Sequence, residues 1–266
     1  MTAGGPERTR TSDLRFRKPS LYPPELRGPA ARSIAARARP AIAGAAALAV
    51  VALAGCGDAV LDRLPPAGSG VVAAVDDVGR LRLDDGSAVR LAGLGDMDRA
   101  ALAEMVQSRR VDLLLAGEGA GRHVRLQRGR AWVQGRLLEQ GAARVRPDTE
   151  ELALADAMLS REARARQAAR GGWASRWRVL IAAEAEGARG WLIVEGRVRA
   201  AARSRRGQHL DFGVDWRRDF SVEVRTDDLD AFARAGEEPL GLRGRLVRVR
   251  GEVKPSPFDP VMRLTT

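Results

Sequence analysis

The chain has 266 residues, 45% of them hydrophobic, which suffices for two modest globular domains. Its formal charge of +11 is unevenly spread: residues 1–55 hold 9 Lys/Arg against 3 Asp/Glu, a net of +6, and the remaining 36 basic and 31 acidic residues net only +5. Charge alone therefore selects neither a nucleic-acid nor a membrane partner, and a single cysteine excludes an intramolecular disulfide framework and any multi-cysteine metal site.

Residues 7–27, ERTRTSDLRFRKPSLYPPELR, are polar, contain proline and are unlike a signal or a domain. They look like a transfer-RNA gene read as protein, so residues 1–31 are expected to be an extension ahead of a true start near Ala31; a disordered basic tail is the alternative. Arg32, Arg37 and Arg39 then precede an apolar run from Ala41 to Leu53 and the small residues Ala54 and Gly55 before Cys56. Basic, apolar and small segments in that order are the parts of a secretory signal. The stretch 32–56 resembles the bacterial lipoprotein motif, which implies lipid attachment at Cys56 and a place in the cell envelope or periplasm, membrane-anchored or secreted. An uncleaved N-terminal anchor stays open, although a permanent span needs about 20 apolar residues. So does a buried free cysteine in an Ala-rich helix.

A linker over 57–70, with Pro65-Pro66 and Gly68-Ser69-Gly70, leads to a predicted strand over 71–75. In residues 80–95, RLRLDDGSAVRLAGLG, Leu81 and Leu83 alternate with Arg80 and Arg82, and Val89 and Leu91 flank Arg90. That is the period of two of half-buried strands. Asp84-Asp85-Gly86-Ser87 between them supplies a hairpin turn, because Asp-Gly tolerates the positive φ of tight turns. On pattern alone, Arg90 reads first as a solvent-facing strand residue.

Next come a helix over 98–109 capped by Asp98 and strands over 111–115 and 123–126 around the glycine-rich turn 117–121. A short helix over 131–140 is closed by Gly141. The strongest helix spans 149–170: Asp148 and Glu151 form its cap pattern, Leu152, Ala155, Leu159 and Ala163 its apolar stripe, and Gly171-Gly172 end it. Strands first, with helices packed across them, point to a small barrel closed by helices.

From Trp191 a second pattern begins. Ile193 to Arg199 alternate, Ser204-Arg205-Arg206-Gly207 make a turn, and strands are predicted over 209–212, 220–224 and 245–253, with a short helix over 227–235. Several strands with turns every ten or so residues predict a second small β-barrel-like, OB-like domain over 190–266.

Asp85-Gly86 followed by Val89-Arg90-Leu91-Ala92-Gly93-Leu94 resembles the Asp-Gly…Val-Arg-Leu-x-Gly-Ile hairpin of the thermonuclease (staphylococcal-nuclease-like) family. Further along, Gly141-Ala142-Ala143-Arg144-Val145, Glu162-Ala163-Arg164-Ala165-Arg166 and Gly172-Trp173 resemble the family's later elements in order and spacing, and the likeness covers about residues 71–177. Leu210-Asp211-Phe212-Gly213 and Trp216-Arg217-Arg218-Asp219-Phe220 resemble a run in C-terminal domains of some bacterial members. The resemblance implies a mainly β fold with helices (α+β): an OB-type five-stranded barrel of the thermonuclease-like kind, then the second β domain.

The family hydrolyses phosphodiesters with a bound calcium, two aspartates, a glutamate and two arginines. Carried over by residue, Arg90 stands for the first arginine, Arg122 after Gly121 for the second, and Asp98 for the glutamate. The two metal aspartates fall on Gly79 and Gly95, which have no side-chain oxygen; a slip of one or two residues recruits Asp77 or Asp96. The resemblance thus implies a degenerate site that retains phosphate or nucleic-acid (DNA or RNA) affinity through the guanidinium fork. No cofactor is expected, except calcium if the site is active.

Arg243, Arg245, Arg248 and Arg250 form a ladder that could track a phosphate backbone beside Trp216, Phe212 and Phe220, or a solvated strand face beside core aromatics. His123 and His209 are too few for a histidine metal cluster and read as strand or turn residues. Three functions follow: a thermonuclease-like envelope protein with a degenerate site, an active calcium-dependent nuclease, or a structural cell-envelope lipoprotein.

Overall fold

The computed structural model describes residues 58–115, 121–146, 152–215, 218–234, 236–254 and 261–264. The signal-like stretch with Cys56, and Trp216, lie outside them. Among the described residues no helix is long and apolar enough to cross a membrane. The fold is mainly β with helices, arranged in several sheets.

The first strands are β1 (Pro66–Val75), β2 (Leu81–Leu83), β3 (Ala88–Leu91), β4 (Leu94–Met97), β5 (Arg110–Leu114) and β6 (Gly121–Leu126). Five of them close into a barrel in the order β1-β2-β3-β6-β5, while β4 pairs with β7 (Ala143–Val145) in a separate ribbon. The predicted alternation holds at the hairpin: Leu81, Leu83, Val89 and Leu91 are buried in the core. Its turn closes as expected, with Gly86 at φ +82° and Ser87 N donating to Asp85 Oδ1 at 2.8 Å.

Helices α1 (Arg99–Val106), α2 (Val133–Glu139) and α3 (Leu152–Gln167) pack on the barrel, burying Leu102, Val106, Leu137, Leu138, Leu154 and Met158 in that core. Arg161 of α3 joins three segments. Its side chain pairs with Asp58 at 2.7 Å and Glu139 at 3.1 Å, and its guanidinium carbon lies 4.9 Å from the Trp132 ring centroid.

The C-terminal strands are β8 (Leu180–Ile181), β9 (Gly190–Arg197), β10 (Ala200–Ser204), β11 (Gly207–Asp211), β12 (Ser221–Arg225), β13 (Leu246–Lys254) and β14 (Val261–Leu264), with α4 (Leu229–Arg234) between β12 and β13. They form a seven-stranded sheet in the order β10-β11-β12-β14-β13-β9-β8, with β10 and β8 at its edges. Val222, Val224, Val247, Val249 and Phe232 build its own core.

The two parts meet along α3. Ala165, Trp173 and Trp177 form a small apolar cluster with Ile193 of β9. Beside it, fully buried Glu162 accepts from Val145 N at 2.7 Å and pairs with Arg250 of β13 at 2.8 Å.

Candidate functional site

Parallel pairing of β3 with β6 sets Arg90 opposite Gly121 and Leu91 opposite Arg122. A Cβ on Gly121 would lie 3.0 Å from Arg90 Nη2 and 2.8 Å from the Ala92 backbone, so glycine allows the close approach. Arg122 Nη1 donates to the Gly121 carbonyl at 3.1 Å. Of the two arginines that the resemblance singles out, Arg122 thus bonds the Gly121 carbonyl and Arg90 passes beside the Gly121 Cα, where β3 ends and β6 begins. They are one register step apart, and pleating starts them on opposite faces of the strand pair. Both are half-buried.

The cation positions look different. Gly79 sits at φ +79° in a turn that Asp76 closes, accepting from Val78 N at 3.2 Å and Arg80 N at 2.8 Å and pairing with Arg80 Nε at 2.8 Å. Partial burial acts to raise the Asp76 pKa, but these bonds together outweigh it and hold the carboxyl below its ordinary value. A Cβ at Gly79 would come within 2.6 Å of Met97 Cε, and one at Gly95 within 3.1 Å of Arg146 Cβ. Neither glycine offers a side-chain oxygen; Met97 Cε, the end of a flexible side chain, lies over Gly79 and Arg146 Cβ lies beside Gly95.

Asp98 and Asp96 use their carboxylates elsewhere, and the backbone of Asp77 is bonded. Asp98 caps α1, accepting from Ala100 N at 3.0 Å and Ala101 N at 3.2 Å. Asp96 is ion-paired with Arg144, and Arg99 Nη1 donates to the Asp77 carbonyl at 2.5 Å. Among the described residues, no three His, Cys, Asp or Glu side chains gather as metal ligands. Calcium normally takes six to eight oxygens.

If Asp98 is a cap, Asp98→Ala should cost about 1 kcal/mol in urea unfolding and Asp98→Asn should restore most of it, since asparagine caps as well. Equal losses in both variants would remove the capping assignment.

The arginine ladder needs correction. Arg243 and Arg245 are exposed ahead of β13, but Arg248 pairs with Glu195 at 2.5 Å and Arg250 with Glu162 at 2.8 Å, both side chains under one-tenth exposed. Arg250 Nη1 also donates to the Val145 carbonyl at 3.2 Å. Burial, and then the neighbouring Arg250 charge, lower the Arg248 pKa. Arg250 thus ties the sheet to the barrel, while Arg248 pairs across β13 and β9 within the sheet, and neither is part of a solvent-facing phosphate track. Phe212 and Phe220 pack ring against ring at 5.3 Å, with Phe220 inside the sheet core.

His209 stands on β11, its Nε2 3.1 Å from Ser204 Oγ. His123 is fully buried, 5.6 Å from the Trp132 ring, and burial pushes its pKa down to about 4. Because the folded pKa lies below the 6.5 of the free group, this contribution to stability is complete above pH 6.5 and is lost as pH falls towards 4. The loss is at most about 3 kcal/mol. Urea unfolding at pH 7 and 4.5 should show a smaller acid loss in His123→Leu than in the parent; identical pH dependence would contradict it.

No family model matches the chain, nor does any curated protein. The likeness to thermonucleases thus rests on the residues themselves.

Proposed function

We propose that the chain is a thermonuclease-like protein, built from an OB-type barrel and a smaller OB-like β domain, that has lost its cation-dependent nuclease chemistry and retains binding of nucleic-acid phosphate. Barrel closure and the hairpin support the scaffold, and the half-buried guanidinium of Arg90 beside Gly121 supports the phosphate affinity. The carrying observation is the pair of glycines at 79 and 95, crowded by Met97 and Arg146. Without charged oxygen ligands a hard cation is not held, and no metal-activated water forms. The Arg90 guanidinium still matches phosphate oxygens.

The signal-like segment and Cys56 support an envelope or periplasmic location through lipid attachment, with an uncleaved anchor as the variant form. A structural envelope lipoprotein is the second reading, favoured by Arg90 and Arg122 starting on opposite faces of the strand pair and by the internal ion pairs of Arg248 and Arg250.

The test uses the full chain with DNA and RNA, in calcium and in chelator. The expected result is no chelator-sensitive cleavage, together with binding that weakens with salt and falls about tenfold or more in Arg90→Ala. Chelator-sensitive cleavage abolished by that substitution would establish the active nuclease instead. Absence of both cleavage and binding would favour the structural lipoprotein.

A further inference from the structure

We propose that a second anion site, distinct from the Arg90 and Arg122 pair, lies between the β4–β7 ribbon and the start of the C-terminal sheet and takes a multiply charged phosphate ligand with an organic body. A cleft of about 690 Å³ opens there. This is within the usual range of small-molecule sites, about 300–1,000 Å³. Arg144, Arg176, Arg178 and Arg189 line it against one acid, Asp96, so four positive charges meet one negative and the net is +3.

These arginines come from β7, the turn around Trp177 and the stretch before β9, and the fold gathers them into one cleft. Like charges held together repel unless an anion joins them, and a concave, partly apolar wall focuses that field. Leu180 and Leu192 supply such a wall, suited to the uncharged part of a ligand.

Two arginines are preset and two are available. Arg144 is buried, ion-paired with Asp96, and its guanidinium carbon lies 5.7 Å from the Trp177 ring centroid; that of Arg176 lies 4.6 Å from the same ring. Trp177 is only 7% exposed and carries both guanidiniums, so the ligand meets charge here and not a bare stacking surface. Arg178 and Arg189 are exposed and, among the described residues, have no ion-pair or hydrogen-bond partner. An Arg fork recognises phosphate bidentately, and several forks converging favour more than one phosphate oxygen group. Met97, which crowds Gly79, also lines this cleft, so the side chain that crowds a cation position contributes a wall to the anion site.

The ligand is either a free nucleotide or the phosphorylated end of a nucleic-acid strand, which share this chemistry. Calorimetric titration of the full chain would use ATP, and single-stranded oligonucleotides with and without a 5′-phosphate. Arg178→Glu/Arg189→Glu reverses two exposed charges and should leave the fold intact by circular dichroism. Arg203→Glu/Arg205→Glu makes the same charge change on the β10–β11 hairpin. The expected result is binding of ATP, or a 5′-phosphate-dependent part of oligonucleotide binding, that weakens about tenfold or more in the first double variant and less than about twofold in the second and in Arg90→Ala. ATP binding identifies a free nucleotide; binding that needs the 5′-phosphate and excludes ATP identifies a strand end. No binding of either probe, or equal weakening in both double variants, would overturn the proposal.

Discussion

Glu162→Ala is expected to destabilise the protein by about 3–5 kcal/mol, the range seen when one partner of a buried ion pair is removed. Glu162 is fully buried, and each of its oxygens is used: Oε1 accepts from Val145 N at 2.7 Å, and Oε2 faces Arg250 at 2.8 Å and Arg166 at 3.8 Å. The substitution strips Arg250 of that carboxylate inside the junction and leaves the β7 amide without its acceptor. Glu162→Gln keeps the shape and the Oε1 acceptor and loses only the charge, so its cost should be smaller. Urea unfolding of Glu162→Ala, Arg250→Ala and the double variant should give strongly non-additive losses. Additive costs of less than about 1 kcal/mol each would mean that the pair does not hold barrel and sheet together.

Gly141→Ala is the second large effect. Gly141 lies at φ +68°, and a Cβ there would stand 2.1 Å from the Arg170 carbonyl oxygen. The close approach is mutual: Gly172 N donates to Gly141 O at 2.8 Å, and a Cβ on Gly171 would lie 2.4 Å from that same oxygen. Both obstacles are backbone and cannot swing aside. The left-handed conformation costs an alanine about 1–2 kcal/mol, and overpacking adds about 1–3 kcal/mol. Gly129 isolates the first part, since it has φ +80° and nothing within 4 Å of its would-be Cβ. Thermal unfolding should therefore show Gly141→Ala several degrees below Gly129→Ala; equal melting temperatures would contradict the crossing of the two segments.

The parts of this fold that depend on local pattern were legible in the amino-acid sequence. Leu81, Leu83, Val89 and Leu91 announce the hairpin by alternation, and Asp98 announces the start of α1 because a cap is a local bond. Periodicity tells which residues share a face but not what covers it. Arg248 and Arg250 alternate with valines like a solvated ladder, yet Glu195 and Glu162 arrive from distant positions and bury them. Gly141 and Gly171 both read as helix stops; their contact across 30 residues has no local signal. The strand β4 was missed because its partner β7 lies beyond two helices, and β14 because its pairing with β12 is parallel and non-local.

The candidate site divides the same way. Glycine at 79 and 95 is plain in the sequence, while the approach of Met97 and Arg146 to them is a tertiary fact. Arg178 and Arg189 fall in the segment between the two predicted domains, assigned to neither, and acquire a common role only through the cleft they line.

The proposed loss of a cation centre is tested most directly by titrating the full chain with calcium to about 1 mM, the weak end of extracellular calcium sites. Heat of binding and melting temperature are followed together. The expected result is no saturable heat and no rise in melting temperature. Saturable binding of one calcium, with the matching upward shift that linkage requires, would contradict the account and make Asp77 or Asp96 the ligand.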